Sequence, residues 1–130
     1  MRLSCALLAA FALTIGAAGA ETYDRTVKAN TRTAVGGFLG YEVDTCYPSA
    51  IPDVKIRQAP SNGTVAIQPY ESELGKHTRC PGRKVRGVAY VYTPKKGFKG
   101  ADTFALDVPW ATTDVSLPTV YTHTYRINVE

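Results

Sequence analysis

Between Val54 and Val108 apolar and polar side chains alternate at every second position, the period that sends neighbouring side chains to opposite faces of an extended strand. Val54 and Ile56 alternate with Lys55 and Arg57, and after Asn62-Gly63, Val65 and Ile67 alternate with Thr64, Ala66 and Gln68. Asn-Gly between two such runs is a turn signal, so residues 54–68 are expected to form a hairpin. From Val85 to Tyr92 both faces are apolar, with Val88, Tyr90 and Tyr92 on one and Ala89 and Val91 on the other. That is the pattern of a strand inside a sheet. Phe104, Leu106 and Val108 make the next inward set, and Tyr121, His123, Tyr125, Ile127 and Val129 share one face of the last run. Towards the N-terminus, strands are expected at 22–29 and 38–44, on either side of a break at Gly36-Gly37. Helical periodicity is absent. About seven short strands in a chain of this length predict an all-β fold, two antiparallel sheets packed as a sandwich.

The first twenty residues follow a different rule. Arg2 precedes an apolar run from Leu7 to Ile15, and small residues end the segment at Ala18-Gly19-Ala20. This order describes a secretory signal peptide cleaved after Ala20, and the run is shorter than the ~20 apolar residues of a membrane span. Residues 21–130 then form one domain, large enough for its own core. The expected location is the periplasm or the medium, with no stable membrane insertion.

Cleavage changes both the cysteine count and the charge. Cys5 leaves with the signal peptide, and Cys46 and Cys80 remain. A pair of cysteines in an oxidising compartment reads as a disulfide; two thiols with no nearby third ligand make a poor zinc site. Fourteen basic residues remain against eleven acidic ones, a net charge of +3. No calcium loop is expected, because the aspartates lack the required spacing. Ser49, Ser61, Ser72 and Ser116 lack a nucleophile-elbow context. The chain is therefore expected to be no enzyme and to need no metal or cofactor.

Two motifs carry a resemblance. Pro60-x-x-Gly63-Thr-Val65, followed by Tyr90-x-Tyr92-Thr-Pro94-x-x-Gly97-Phe98-x-Gly100-x-Asp102-Thr-Phe104, is similar to the bacterial immunoglobulin-like or cadherin-like repeats. The resemblance covers about half of residues 21–130 and implies an immunoglobulin-like sandwich in a secreted or surface setting. It brings no catalytic residues, because these positions are turn chemistry. Pro94 presets φ, Gly97 and Gly100 suit backbone that other residues resist, and Asp102 can bond nearby backbone amides. Phe98 and Phe104 would fill the core. The chain departs from the family in being a single domain, and in the long connections 69–84 and 110–119.

Alternating strand directions would put both long connections, and the segment 46–52, at one end of the sandwich. That end would satisfy the ~7 Å Cα separation a Cys46–Cys80 bridge requires. It also collects Lys76, Arg79, Arg83, Lys84 and Arg86, with His77 among them, and Trp110. The expected role is a monomeric, exported binding module that recognises a protein or an anionic glycan through these loops. Nucleic acid is not an expected partner, given the modest charge and the nearby Glu71 and Glu73. The alternative is a structural or adhesive surface component. His123, on a strand face with Tyr121 and Tyr125, is expected to be structural.

Overall fold

Seven strands make up the regular structure of residues 19–110 and 117–130, which a computed structural model describes. They are β1 (Ala20–Val27), β2 (Thr33–Leu39), β3 (Lys55–Gln58), β4 (Gly63–Glu73), β5 (Lys84–Pro94), β6 (Gly100–Trp110) and β7 (Thr119–Val129). One sheet has the order β1-β7-β6-β3 and the other β2-β5-β4. The fold is the expected all-β, immunoglobulin-like sandwich, with one exception to its antiparallel pairing: β1 runs parallel to β7, Ala20 opposite Thr122 and Val27 opposite Val129. The expected signal peptide lies almost wholly outside the described residues, as does most of the 110–119 connection.

The inward faces match the alternation. Val65 on β4, Tyr90 and Tyr92 on β5, Phe104, Leu106 and Val108 on β6, and Tyr125, Ile127 and Val129 on β7 form one buried cluster between the sheets. Tyr92, Phe104 and Tyr125 stack in sequence, with ring centroids 6.3 and 5.0 Å apart and planes within 9° of parallel. Burial pushes the Tyr125 phenol up to about 12, and among the described residues no buried polar side-chain atom lacks a hydrogen-bond partner.

Three local expectations fail, the first two because the sheets are partitioned differently from the order of the turns. Residues 54–68 are not a hairpin: β3 pairs with β6 and β4 with β5, so residues 59–62 cross from one sheet to the other. The hairpins are β4–β5 and β6–β7. Ile56, expected inward, is 45% exposed, because β3 is a four-residue edge strand that the second sheet does not cover. Gly36-Gly37 is no break: β2 continues through both residues with a bulge between Ala34 and Gly36, and stops at Leu39, short of the expected 38–44 strand. Gly36 is needed there for close approach, since a Cβ would collide with the Tyr125 hydroxyl that packs on its backbone.

Candidate functional site

The two ends of the sandwich are built by different means. At one end, β2, β4 and β6 finish and β3, β5 and β7 begin. The loop after β2 folds back on itself: Tyr41 bridges Pro48, Glu42 N–H donates to the Tyr47 carbonyl, and Cys46 N–H donates to the Glu42 carbonyl. Cys46 adopts a left-handed φ of 59° at this bend. Its disulfide to Cys80, with Cα atoms 6.4 Å apart, ties this loop to the β4–β5 loop. Cys46, Leu74 and Val85 are buried together beneath the bridge, with Leu39, Tyr41 and Cys80 around them. Val85 alternates with the inward set of β5, so this second core sits on the outer face of the three-stranded sheet. The disulfide thus organises loops and does not cross between the sheets.

The basic residues expected here are present, but the long 69–84 loop is not. β4 extends to Glu73 and β5 starts at Lys84, leaving a loop of 74–83. Lys84 and Arg86 are strand residues, directly opposite Glu73 and Glu71 in the register. Arg79 lies 3.5 Å from Asp44 across the stapled loops. Lys76, His77 and Arg83 are exposed on the 74–83 loop. Arg83, Lys84 and Arg86 do share a crevice of about 330 Å³ with Gly40, Cys46 and Ile51. The run that reads as a basic cluster in the sequence is therefore interleaved with carboxylates that the fold brings to it.

Trp110 is the last residue of β6 and packs on Phe38 of β2, ring centroids 5.2 Å apart, across the gap between the sheets. It closes the core at this end and stays 38% exposed. The sequence reading missed most of the other exposed apolar residues of this half. The large apolar residues left exposed among the described residues are Val43, Tyr47, Ile51, Ile56, Tyr70, Trp110, Leu117 and Val120. All belong to the half of the sandwich on the disulfide side, as the registers of β3, β4, β6 and β7 show. Periodicity could not find Val43, Tyr47 and Leu117, because loop residues have no face until the loop is placed.

The opposite end is made of short turns that bond to themselves. Asp102, buried at the start of β6, accepts from the Ser61 and Asn62 N–H groups at 3.1 Å each and from the Tyr92 hydroxyl at 2.7 Å. Burial, and then the carboxylate beside it, raises the Tyr92 phenol well above its ordinary value. Gly97 and Gly100 have φ of 78° and 129°, as their turn role requires. The Gly97 N–H donates to Asn30 Oδ1 at 2.8 Å, holding the β5–β6 turn against the β1–β2 turn. Beside this end, on the outer face of β1-β7-β6, lies a groove of about 670 Å³ lined by Thr26, Ser61, Asn62, Ala101, Thr103, Arg126 and Asn128. An Asp24–Arg126 pair, bonded at 2.7 and 2.9 Å, lies along it; this contact holds the Asp24 carboxyl below its usual range.

His123 packs edge-on to Tyr23, ring centroids 5.5 Å apart, a structural placement on the sheet. Among the described residues no three of His, Cys, Asp and Glu converge as metal ligands, and no helix is long and apolar enough to cross a membrane. No protein-family model matches the chain, and no curated protein is significantly similar to it.

Proposed function

We propose that this chain is an exported, monomeric, non-enzymatic module that binds a protein partner through its disulfide-stapled end. The observation that carries the reading is the collection of exposed apolar side chains at this end, with Tyr47, 63% exposed, on a loop tied by Cys46–Cys80 and Leu117, 93% exposed, just before β7. Exposed apolar patches with interspersed charge mark protein contacts on soluble domains. A stapled loop loses little further freedom on binding, which favours affinity. The interleaved Glu71, Glu73 and Asp44 argue for a mixed protein surface at this end and against a polyanion. The non-enzymatic reading is supported by where the shifted groups lie: they are tyrosines, Tyr90, Tyr92 and Tyr125 of the core and Tyr23 beside Glu21, and surface ion pairs. Kinship with the bacterial immunoglobulin-like repeats belongs to the same proposal. It draws support from Gly97, Gly100 and Asp102 filling the turn roles that the motif implies.

A photo-crosslinking residue placed at Tyr47 or Leu117 in the native host tests this. Protein adducts are expected from these positions and not from Lys96 at the far end. Adducts from Lys96 alone would overturn the assignment, and a second copy of this chain captured along β4 would favour the structural reading instead.

A further inference from the structure

The net positive charge of the chain does not reside where the sequence shows its densest basic run. At the turn end, the segments 28–32 and 95–99 contribute Lys28, Arg32, Lys95, Lys96 and Lys99, all exposed, and neither segment contains an acid. The acids of this end are largely engaged: of the two that line the groove, Asp24 is held in two bonds by Arg126 and Asp102 is buried under the Ser61 and Asn62 amides, and Glu130 accepts from Asn128. The two segments are held side by side by the Gly97–Asn30 bond. Lys95 Nζ donates at 3.0 Å to the carbonyl of Ser61, a residue of the groove's lining, which sets the start of the basic turn beside the groove described above.

We propose that this groove and the basic turn beside it form a second binding site, for a linear anionic glycan such as a sulfated or uronic-acid polysaccharide. The groove's surface is largely apolar, suited to the face of a sugar ring, and Thr26, Ser61 and Asn62 add hydroxyl and amide groups for sugar hydroxyls, while Thr103 and Asn128 already bond to the Tyr125 carbonyl and Glu130. Lysine ammonium groups on flexible stems are point charges suited to a repeating row of anionic groups. A bilayer fits less well, since among the described residues none of the exposed large apolar side chains lies at this end to insert. Nucleic acid fits less well too, because single strands need exposed aromatics for stacking. The site is separate from the protein-binding end, and neither depends on the other.

Calorimetric titration of the purified protein with heparin oligosaccharide and with polygalacturonate, across a salt series, tests the site. Parallel titrations use neutral dextran, phosphatidylglycerol vesicles and a single-stranded oligonucleotide. Binding to an anionic glycan is expected, weakening steeply with salt, with dextran inert. Reversing Lys95, Lys96 and Lys99 together to Glu, or Lys28 and Arg32 as an independent pair, is expected to weaken it about tenfold or more. Ala101→Trp, which fills the groove from an exposed position, is expected to weaken binding at fixed salt with the melting temperature retained. The Arg83→Glu/Lys84→Glu variant is expected to bind as the parent does. Absence of glycan binding, equal or tighter binding to vesicles or oligonucleotide, loss only in the Arg83/Lys84 variant, or indifference to Ala101→Trp would each overturn the proposal.

Discussion

The stapled end and the turn end solve the same problem, closing an open sandwich, with different chemistry. At the turn end a buried carboxylate takes up the backbone donors of the crossing segment, and glycines absorb the sharp reversals. The result is short, polar turns that leave basic side chains in water. At the stapled end the longer connections bond within themselves, and a covalent bridge with a small outer core around Leu74 and Val85 ties one to the other. Those loops then carry exposed apolar residues, which the turn end does not. The difference shows that rigidity from backbone hydrogen bonds suits a tight turn, whereas a long, apolar recognition loop needs a cross-link and packing of its own.

The largest test of this contrast is the double change Cys46→Ala/Cys80→Ala. The closed loop spans 34 residues, for which the chain-entropy relation gives about 3–4 kcal/mol. Denaturant melts are expected to show that loss, and crosslinking through position 47 is expected to fall more than the residual stability alone requires. A melt unchanged by the double substitution would show that the outer core fixes the loops unaided. Asp102→Ala comes next. It strands three part-buried amides, of Ser61, Asn62 and Thr103, and the buried Tyr92 hydroxyl, at an expected cost of roughly 3 kcal/mol, with Asp102→Asn falling between. Equal stability of Ala and Asn variants would mean that the carboxylate is not what closes the turn end.

Gly100→Val and Gly97→Val should cost about 1–3 kcal/mol each, because a β-branched residue is strained at positive φ. Gly97 has open space around its Cβ position, so its effect isolates backbone strain from collision. A neutral Gly97→Val melt would separate the two. The smallest effect is acid sensitivity. Arg126 beside Asp24 and Arg57 beside Asp107 hold both carboxyls below the ordinary 3.8. A carboxyl depressed in the folded state stabilises above its unfolded value, and that contribution is lost as pH falls through the lower, folded one. Both pairs are exposed, so melting temperatures are expected to drop only slightly below pH ~4 on this account. Asp24→Asn is expected to flatten that limb at the turn end without touching the stapled end.

Much of this was legible in the alternation. The inward sets of β5, β6 and β7 stand as read, and so does the antiparallel direction of successive strands from β3 to β7, from which the Cys46–Cys80 proximity follows. Asp102 was legible as a turn residue because a short carboxylate after Gly-x signals bonding to backbone amides. The hairpin at 54–68 was misread because Asn62-Gly63 reverses the chain equally well within one sheet or between two. Ile56 alternates like a core residue, yet only the partition into sheets decides whether an edge strand is covered.

The residue pattern by itself determined strand faces, the turns and the available cross-link, because these depend on side-chain period and on the φ that glycine and proline permit. Tertiary structure alone decided the charge map. Register set Glu73 and Glu71 opposite Lys84 and Arg86, and the stapled loops brought Asp44 to Arg79, so the basic run became a surface of mixed charge. The same folding drew Lys28 and Arg32 beside Lys95, Lys96 and Lys99, residues more than sixty positions apart, into one basic end. Electrostatic potential depends on distance through space, and distance along the chain does not fix it.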